Sequence, residues 1–211
     1  MRRKNIEQIL KLLHRHYPDA DILLPKNRFH LLVSTILSAQ SRDKQTIAIS
    51  KKLFKRYKSA EALSKAKQSD VEDIIRNIGL YKTKAKRIIE VSKIIAKNHG
   101  RVPDSMEELL KLPGVGRKTA NIVLGKGFGK SHGIAVDTHV FRISRRLGLS
   151  NASTSYGVEK DLMKQIPKNY WVKFTDLMIA HGRKLCRSKK PLCNKCFLAE
   201  ICDYARTNAK N

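Results

Sequence analysis

The apolar positions along the chain recur with helical spacing nearly everywhere. Ile6, Ile9, Leu10, Leu13 and Tyr17 follow the i, i+3, i+4, i+7 rule, and Pro18 closes that helix. From Phe29 to Ala39 the chain is apolar almost all round, which predicts a helix buried in a core. Asp43 can cap a third helix that carries Ile47, Leu53, Phe54 and Tyr57. Two S-x-x-E patterns, Ser69/Glu72 and Ser105/Glu108, read as capping boxes that start further helices. Thr138 to Leu147 and Tyr170 to Leu185 are helical by pattern, with Gly148 as the stop for the first. No segment alternates as a half-buried strand does. The predicted class is all-α.

A weak internal repeat interrupts these helices. Ile78 to Ala85, I-G-L-Y-K-T-K-A, resembles Pro113 to Ala120, P-G-V-G-R-K-T-A. Each copy reads as helix, glycine-led turn, then helix. Glycine reaches backbone conformations other residues resist, and such a turn presents free N–H groups to an anion. The plain alternative is an αα-corner. The copies differ at two places: Tyr81 replaces Gly116, and Thr83 stands where Lys118 does. They are therefore expected to do different work.

Charge decides which anion matters. The 211 residues hold 44 Lys+Arg against 18 Asp+Glu, a formal net charge of +26. Such an excess repels itself in a compact chain and is relieved by a polyanion through counterion release. Nucleic acid leads as the partner and an anionic membrane surface follows. Thermophilic ion-pair networks fit poorly, because they need comparable numbers of both signs. No stretch approaches the roughly 20 apolar residues of a membrane span, and the N-terminus has no signal-peptide core. The expected location is cytoplasmic.

All four cysteines, Cys186, Cys193, Cys196 and Cys202, lie within 17 residues. In a reducing compartment, clustering of this kind points to one metal centre rather than to disulfides. The spacing alone admits zinc or an iron–sulfur cluster. His181 is not expected to be a further ligand. Between the first two cysteines, R-S-K-K-P-L supplies Arg187, Lys189 and Lys190, a run suited to a phosphate backbone or simply to solvent.

Lys118 falls in the first turn of the helix after the second hairpin. The positive end of a helix dipole disfavours an ammonium, and partial burial adds to the effect. A neutral amine there can attack an electrophilic carbon and form a Schiff base; otherwise Lys118 is one solvated or phosphate-binding base among many. Downstream, Asp137 in I-A-V-D-T-H-V-F-R-I is expected to cap a helix. A capping carboxylate can also steady positive charge on a reacting sugar or accept a proton from an amine. His139 carries no signal of its own.

Together, L-P-G-V-G-R-K-T-A-N, V-D-T-H-V-F-R, S-A-Q at 38–40, I-G-L-Y at 78–81 and the terminal C-x6-C-x2-C-x5-C resemble the endonuclease III family of helix-hairpin-helix DNA glycosylases, in order and over essentially the whole chain. The resemblance implies a bifunctional glycosylase and AP lyase acting on duplex DNA that contains oxidised pyrimidines or abasic sites. It implies two helical lobes with a DNA-binding groove between them: a six-helix barrel over 22–131, and a discontinuous iron–sulfur domain made of 1–21 and 132–211.

By the same resemblance, Lys118 is the nucleophile and Asp137 the assisting carboxylate. The four cysteines hold a [4Fe-4S] cluster, Gln40 fills the space left by an extruded nucleotide, and Leu80 wedges the opposite strand. The hairpin residues Leu112, Gly114, Val115 and Gly116 bind DNA, as do Arg187, Lys189 and Lys190. The protein is expected to be monomeric and nucleoid-associated. Relatives that excise mismatched adenine or thymine lack the matching lysine, and the adenine enzyme carries a further C-terminal domain, whereas this chain stops soon after Cys202. The glycine-rich residues 125–133 are read as a loop. A non-catalytic DNA-binding module would explain the charge and hairpins but not the Lys118/Asp137 pair, and a zinc-stabilised adaptor would not explain the hairpins.

Overall fold

A computed structural model describes residues 5–21, 24–39, 41 and 43–208, with the side chains of Asp43, Lys44 and Asn208 excepted. Gln40 lies outside the described residues. The described chain is all-α, with no strand in it. It divides into two compact units, Leu23–His132 and a discontinuous one made of Met1–Ile22 and Gly133–Asn211.

The contiguous unit contains α2 (Arg28–Ser38), α3 (Asp43–Arg56), α4 (Ala60–Ser64), α5 (Gln68–Ile75), α6 (Tyr81–Lys97), α7 (Met106–Leu110) and α8 (Arg117–Ile122). Helix α2 is buried on nearly every side, as its apolar composition predicts. Leu31, Leu32, Leu37, Leu53, Leu63, Ile75, Ile88, Ile95 and Leu109 form the centre of this unit. Ser105 caps α7: its hydroxyl accepts from the Glu108 amide at 3.3 Å and donates to the Glu108 carboxylate at 3.1 Å.

Two sequence expectations fail locally. Ser69 does not start a helix, because α5 begins one residue earlier at Gln68, with Lys67 as an N-cap that makes no side-chain bond. Inside the first turn the Ser69 hydroxyl is past the capping position, and Gln68 instead donates to Glu72 one turn on, at 2.7 Å. Residues 125–133 are not a loop throughout. Helix α8 runs on as a π-helical turn over Val123–Gly127. Arg28 Nε donates to the Gly127 carbonyl at 2.8 Å, and the Arg28 guanidinium lies 4.3 Å over the Phe128 ring.

The discontinuous unit contains α1 (Ile6–His16), α9 (Thr138–Leu147), α10 (Ser155–Met163), α11 (Trp171–Lys184) and α12 (Asp203–Asn208), with short 3₁₀ turns between the cysteines. Ile9, Leu10 and Leu13 of α1 join Val140, Ile143, Leu147, Phe174, Leu177 and Met178 in one core. That shared core explains why segments so distant in sequence fold together. Helices α9 and α11 approach closely at Gly182, where an added Cβ would collide with the His139 ring.

Candidate active site and cysteine centre

The second hairpin is a turn between α7 and α8. Leu112 and Val115 are buried and pin it to the core, and the Val115 amide donates to the Leu112 carbonyl at 3.1 Å. Since these two side chains point inward, the hairpin offers solvent its backbone and the exposed Gly114 and Gly116. Gly114 has φ +79°, and a Cβ there would stand 2.8 Å from the Arg87 Cδ of α6. A side chain at 114 is thus opposed by backbone strain and by crowding. The same contact lays the Arg87 stem along the hairpin. Lys118, the second residue of α8, is half-buried.

The first hairpin joins α5 to α6. Its left-handed residue is not Gly79 but Leu80, at φ +59°. For a leucine this backbone costs about 1–2 kcal/mol, and the side chain is 60% exposed, which forgoes burial as well. An apolar side chain held out on a strained turn is poorly explained by stability.

Aligning Gly79 with Gly114 pairs Ala85 with Ala120, both fully buried, and Lys84 with Thr119, 3% and 7% exposed. Lys84 is thus a core lysine. Its ammonium donates to the Leu37 carbonyl at 2.9 Å, the Ala39 carbonyl at 2.6 Å and the Ser41 hydroxyl at 2.8 Å. Burial holds its pKa below the ordinary lysine value. Two of these bonds satisfy carbonyls that the end of α2 leaves open, and the three together tie α6 to Leu37, Ala39 and Ser41.

In the other unit, Asp137 caps α9 as the sequence predicts. One carboxylate oxygen accepts from the Val140 amide at 2.8 Å. Asp137 is half-buried, so capping leaves part of the group accessible.

None of the four cysteines is in a disulfide. Together with Arg146, His181, Leu192, Leu198 and Tyr204 they line a cavity with an empty volume of ≈350 Å³, part of it open to solvent. Burial pushes the Cys196 thiol up to about 11 and raises Cys202 as well. Among the described residues no three His, Cys, Asp or Glu side chains converge as they would on a single metal ion.

Two arginines one turn apart on α9 hold the loop that leaves Cys186. Arg142 Nη2 donates to the Cys186 carbonyl at 2.9 Å. Arg146 donates to the carbonyls of Arg187 and Ser188 at 2.7 and 3.0 Å, and to Cys186 Sγ at 3.4 Å. The Leu192 amide closes the loop on the Leu185 carbonyl at 3.0 Å. With its backbone fixed, the loop holds Arg187, Lys189 and Lys190 exposed, Lys190 with φ +50°.

His181 is 2% exposed, between Tyr17 and Cys196. Its Nδ1 is 3.1 Å from the Tyr17 hydroxyl, and its Nε2 is 3.7 Å from Cys196 Sγ. Burial, with Arg142 and His16 adding to it, pushes His181 down to about 4, while burial pushes Tyr17 up to about 12. Sequence reasoning missed Lys84, Arg142, Arg146 and the Tyr17–His181 pair. The arginines had a readable signal, their i, i+4 spacing on one face of α9; the others are joined only by tertiary contact.

Residues 33–168 match the HhH-GPD superfamily of base excision DNA repair proteins. The chain belongs to that superfamily. It is 46% identical over 204 residues to endonuclease III of Thermotoga maritima, covering 96% of this chain and 92% of the relative. Endonuclease III of Synechocystis is 43% identical over 209 residues, covering 98% and 95%. Among solved structures, a non-covalent endonuclease III–DNA complex superposes with a TM-score of 0.92 at 39% identity, covering 98% of this chain and 97% of that one. A trapped endonuclease III–DNA covalent intermediate gives 0.91, again at 39% identity and with 97% of each chain covered. A thermostable thymine-DNA glycosylase shares the fold, with a TM-score of 0.84 at 23% identity. The protein is a DNA repair glycosylase and AP lyase of the endonuclease III type. No described helix is long and apolar enough to cross a membrane.

Proposed function

We propose that this enzyme removes oxidised pyrimidines from duplex DNA and then cuts the abasic site through a Schiff base on Lys118. The observation that carries this reading is the placement of Lys118: half-buried in the first turn after a hairpin whose backbone and glycines face solvent. Deprotonated Lys118 attacks C1′ of a nucleotide turned out of the stack, and the C1′–N bond breaks with its electron pair leaving on the base. The sugar ring opens to an iminium. Loss of a C2′ proton then expels the 3′ phosphate by cleavage of the C3′–O bond. Asp137 is proposed to balance the developing positive charge and to relay the protons.

Hairpin backbone at Gly114–Gly116, Arg87 beside it, and the exposed Arg187, Lys189 and Lys190 supply phosphate contacts. Leu80 is the wedge that an extruded base requires, and its exposed, strained position supports this. By resemblance Gln40 fills the vacated space. The protein acts as a monomer in the cytoplasm, on nucleoid DNA.

The four cysteines suit a [4Fe-4S] cluster. All four donors are sulfur, and they border a common cavity. When bound, the cluster ties Cys186, Cys193, Cys196 and Cys202 together and stiffens the basic loop. Borohydride trapping on abasic-site DNA tests the lyase step. Wild type is expected to give a covalent adduct and Lys118→Ala none; an equal adduct from Lys118→Ala refutes the assignment.

A further inference from the structure

Outside the proposed reaction machinery, His181 is a buried polar group with a partner at each ring nitrogen. It lies on α11 five residues before Cys186, and Tyr17, the residue that ends α1, reaches it across the core. Aromatic packing fixes both rings. Phe197 meets His181 edge-on at 5.3 Å and Tyr17 at a tilt at 5.7 Å, while His16 stacks on Phe197 at 3.7 Å. A neutral histidine packed in this way, with a hydroxyl at one nitrogen and a cysteine sulfur at the other, has two hydrogen-bond patterns open to it, one for each tautomer.

In the thiol form, Cys196 can donate its S–H to Nε2, and Nδ1–H then donates to Tyr17. A metal-bound cysteine is a thiolate and has no proton to give. The pattern must then reverse: Tyr17 O–H donates to Nδ1, which leaves the single ring proton on Nε2, facing Cys196 Sγ. We propose that Tyr17 and His181 are positioning residues for the cluster ligand Cys196, with Tyr17 setting the histidine tautomer and His181 donating an N–H to the ligand sulfur. Histidine in this role donates to the ligand sulfur and is not itself a ligand. Such donors neutralise sulfur charge, so they favour the more reduced cluster and steady the ligand in place. Arg146, with an N–H 3.4 Å from Cys186 Sγ, stands in the same relation to another of the four.

The inference rests on the cluster reading, and the test separates the two. Iron and acid-labile sulfide in the purified wild type establish the cluster; their absence overturns both ideas. In the loaded protein, the reduction potential is measured by voltammetry, and cluster retention by the decay of visible absorbance under a chelator. Tyr17→Phe keeps the ring against Phe197 and removes only the hydroxyl. It should shift the potential to a more negative value and hasten cluster loss. His181→Leu removes the donor itself and should increase the loss about 10- to 100-fold, the usual scale for outer-shell groups. If His181→Leu does not fold, Tyr17→Phe decides alone. A loaded Tyr17→Phe protein with wild-type potential and wild-type retention, even if its melting temperature falls, overturns the inference and leaves the cluster reading standing.

Discussion

The turn before α6 and the turn before α8 start from similar sequence and end at different chemistry, through a shift of one residue. In the first, the lysine sits at position 84, in register with Thr119 of the second. That register faces the core, so the Lys84 ammonium donates to Leu37 and Ala39 at the end of α2 and to Ser41 beyond it. In the second, the lysine sits one place earlier, at 118, which is half-buried. One residue on a helix is about 100° of rotation, enough to turn a lysine from a core latch toward the surface. The turns also differ in where strain is stored. Gly114 takes a left-handed backbone at little cost, whereas Leu80 takes one at a cost and holds an apolar side chain in water. The anchoring proposed for the second turn suits glycine at the strained place, and the wedge proposed for the first suits a leucine there.

The largest effect expected from breaking this contrast is at Lys118. Lys118→Ala should lower strand cleavage at an abasic site by about a thousandfold or more, the scale of losing a nucleophile, with melting temperature nearly unchanged. Lys84→Met should do the reverse. It strands two carbonyls and a hydroxyl beneath α6 and should cost about 3 kcal/mol in urea unfolding, while protein that does fold still cleaves. If Lys84→Met is as stable as wild type, the latch is not a latch.

Gly114→Ala comes next. The added methyl meets both the left-handed backbone and Arg87 Cδ, and a loss of about 1–2 kcal/mol is expected by thermal unfolding, together with weaker DNA binding. Leu80→Gly should sharpen the other half of the comparison. Relief of the left-handed strain offsets the entropy of glycine, so stability should stay within about 1 kcal/mol, but excision from duplex DNA should fall. A variant that loses stability and keeps excision would make Leu80 structural. The smallest effect is at Arg87. Arg87→Met preserves the stem against Gly114 and removes the charge, so the slope of log K against log salt should shrink by about 0.9, one phosphate contact. An unchanged slope removes Arg87 from the DNA contacts.

Much of this was legible in the residue order. Helical periodicity placed α1, α9 and α11, and an almost wholly apolar run placed α2; Pro18 marked the end of α1, and Asp137 and Gly148 those of α9. Asp137 was readable as a cap because its bond reaches only three residues along the chain, and Lys118 was placed in a first helical turn by the glycines before it. Local rules failed where a competing local choice existed. Gln68 took the start of α5 that Ser69 seemed to mark, and α8 wound on through glycines at 125 and 127 because Arg28, from a distant helix, holds the Gly127 carbonyl. What the sequence could not disclose depends on partners far along the chain. Lys84 looks like any surface lysine until α2 is packed beneath it, and Tyr17 is 164 residues from the histidine it bonds. Nor does the pattern say that Leu80 faces water; an apolar residue after glycine reads most simply as core.

The division of labour between the two lysines is the central claim, and mapping the trapped adduct tests it most directly. Wild-type protein is reduced with borohydride on abasic-site DNA, digested, and the modified peptide sequenced by mass spectrometry. The deoxyribose remnant should sit on the Nζ of Lys118, with the peptide that contains Lys84 unmodified. A remnant on Lys84, or on any amine other than Lys118, contradicts the account.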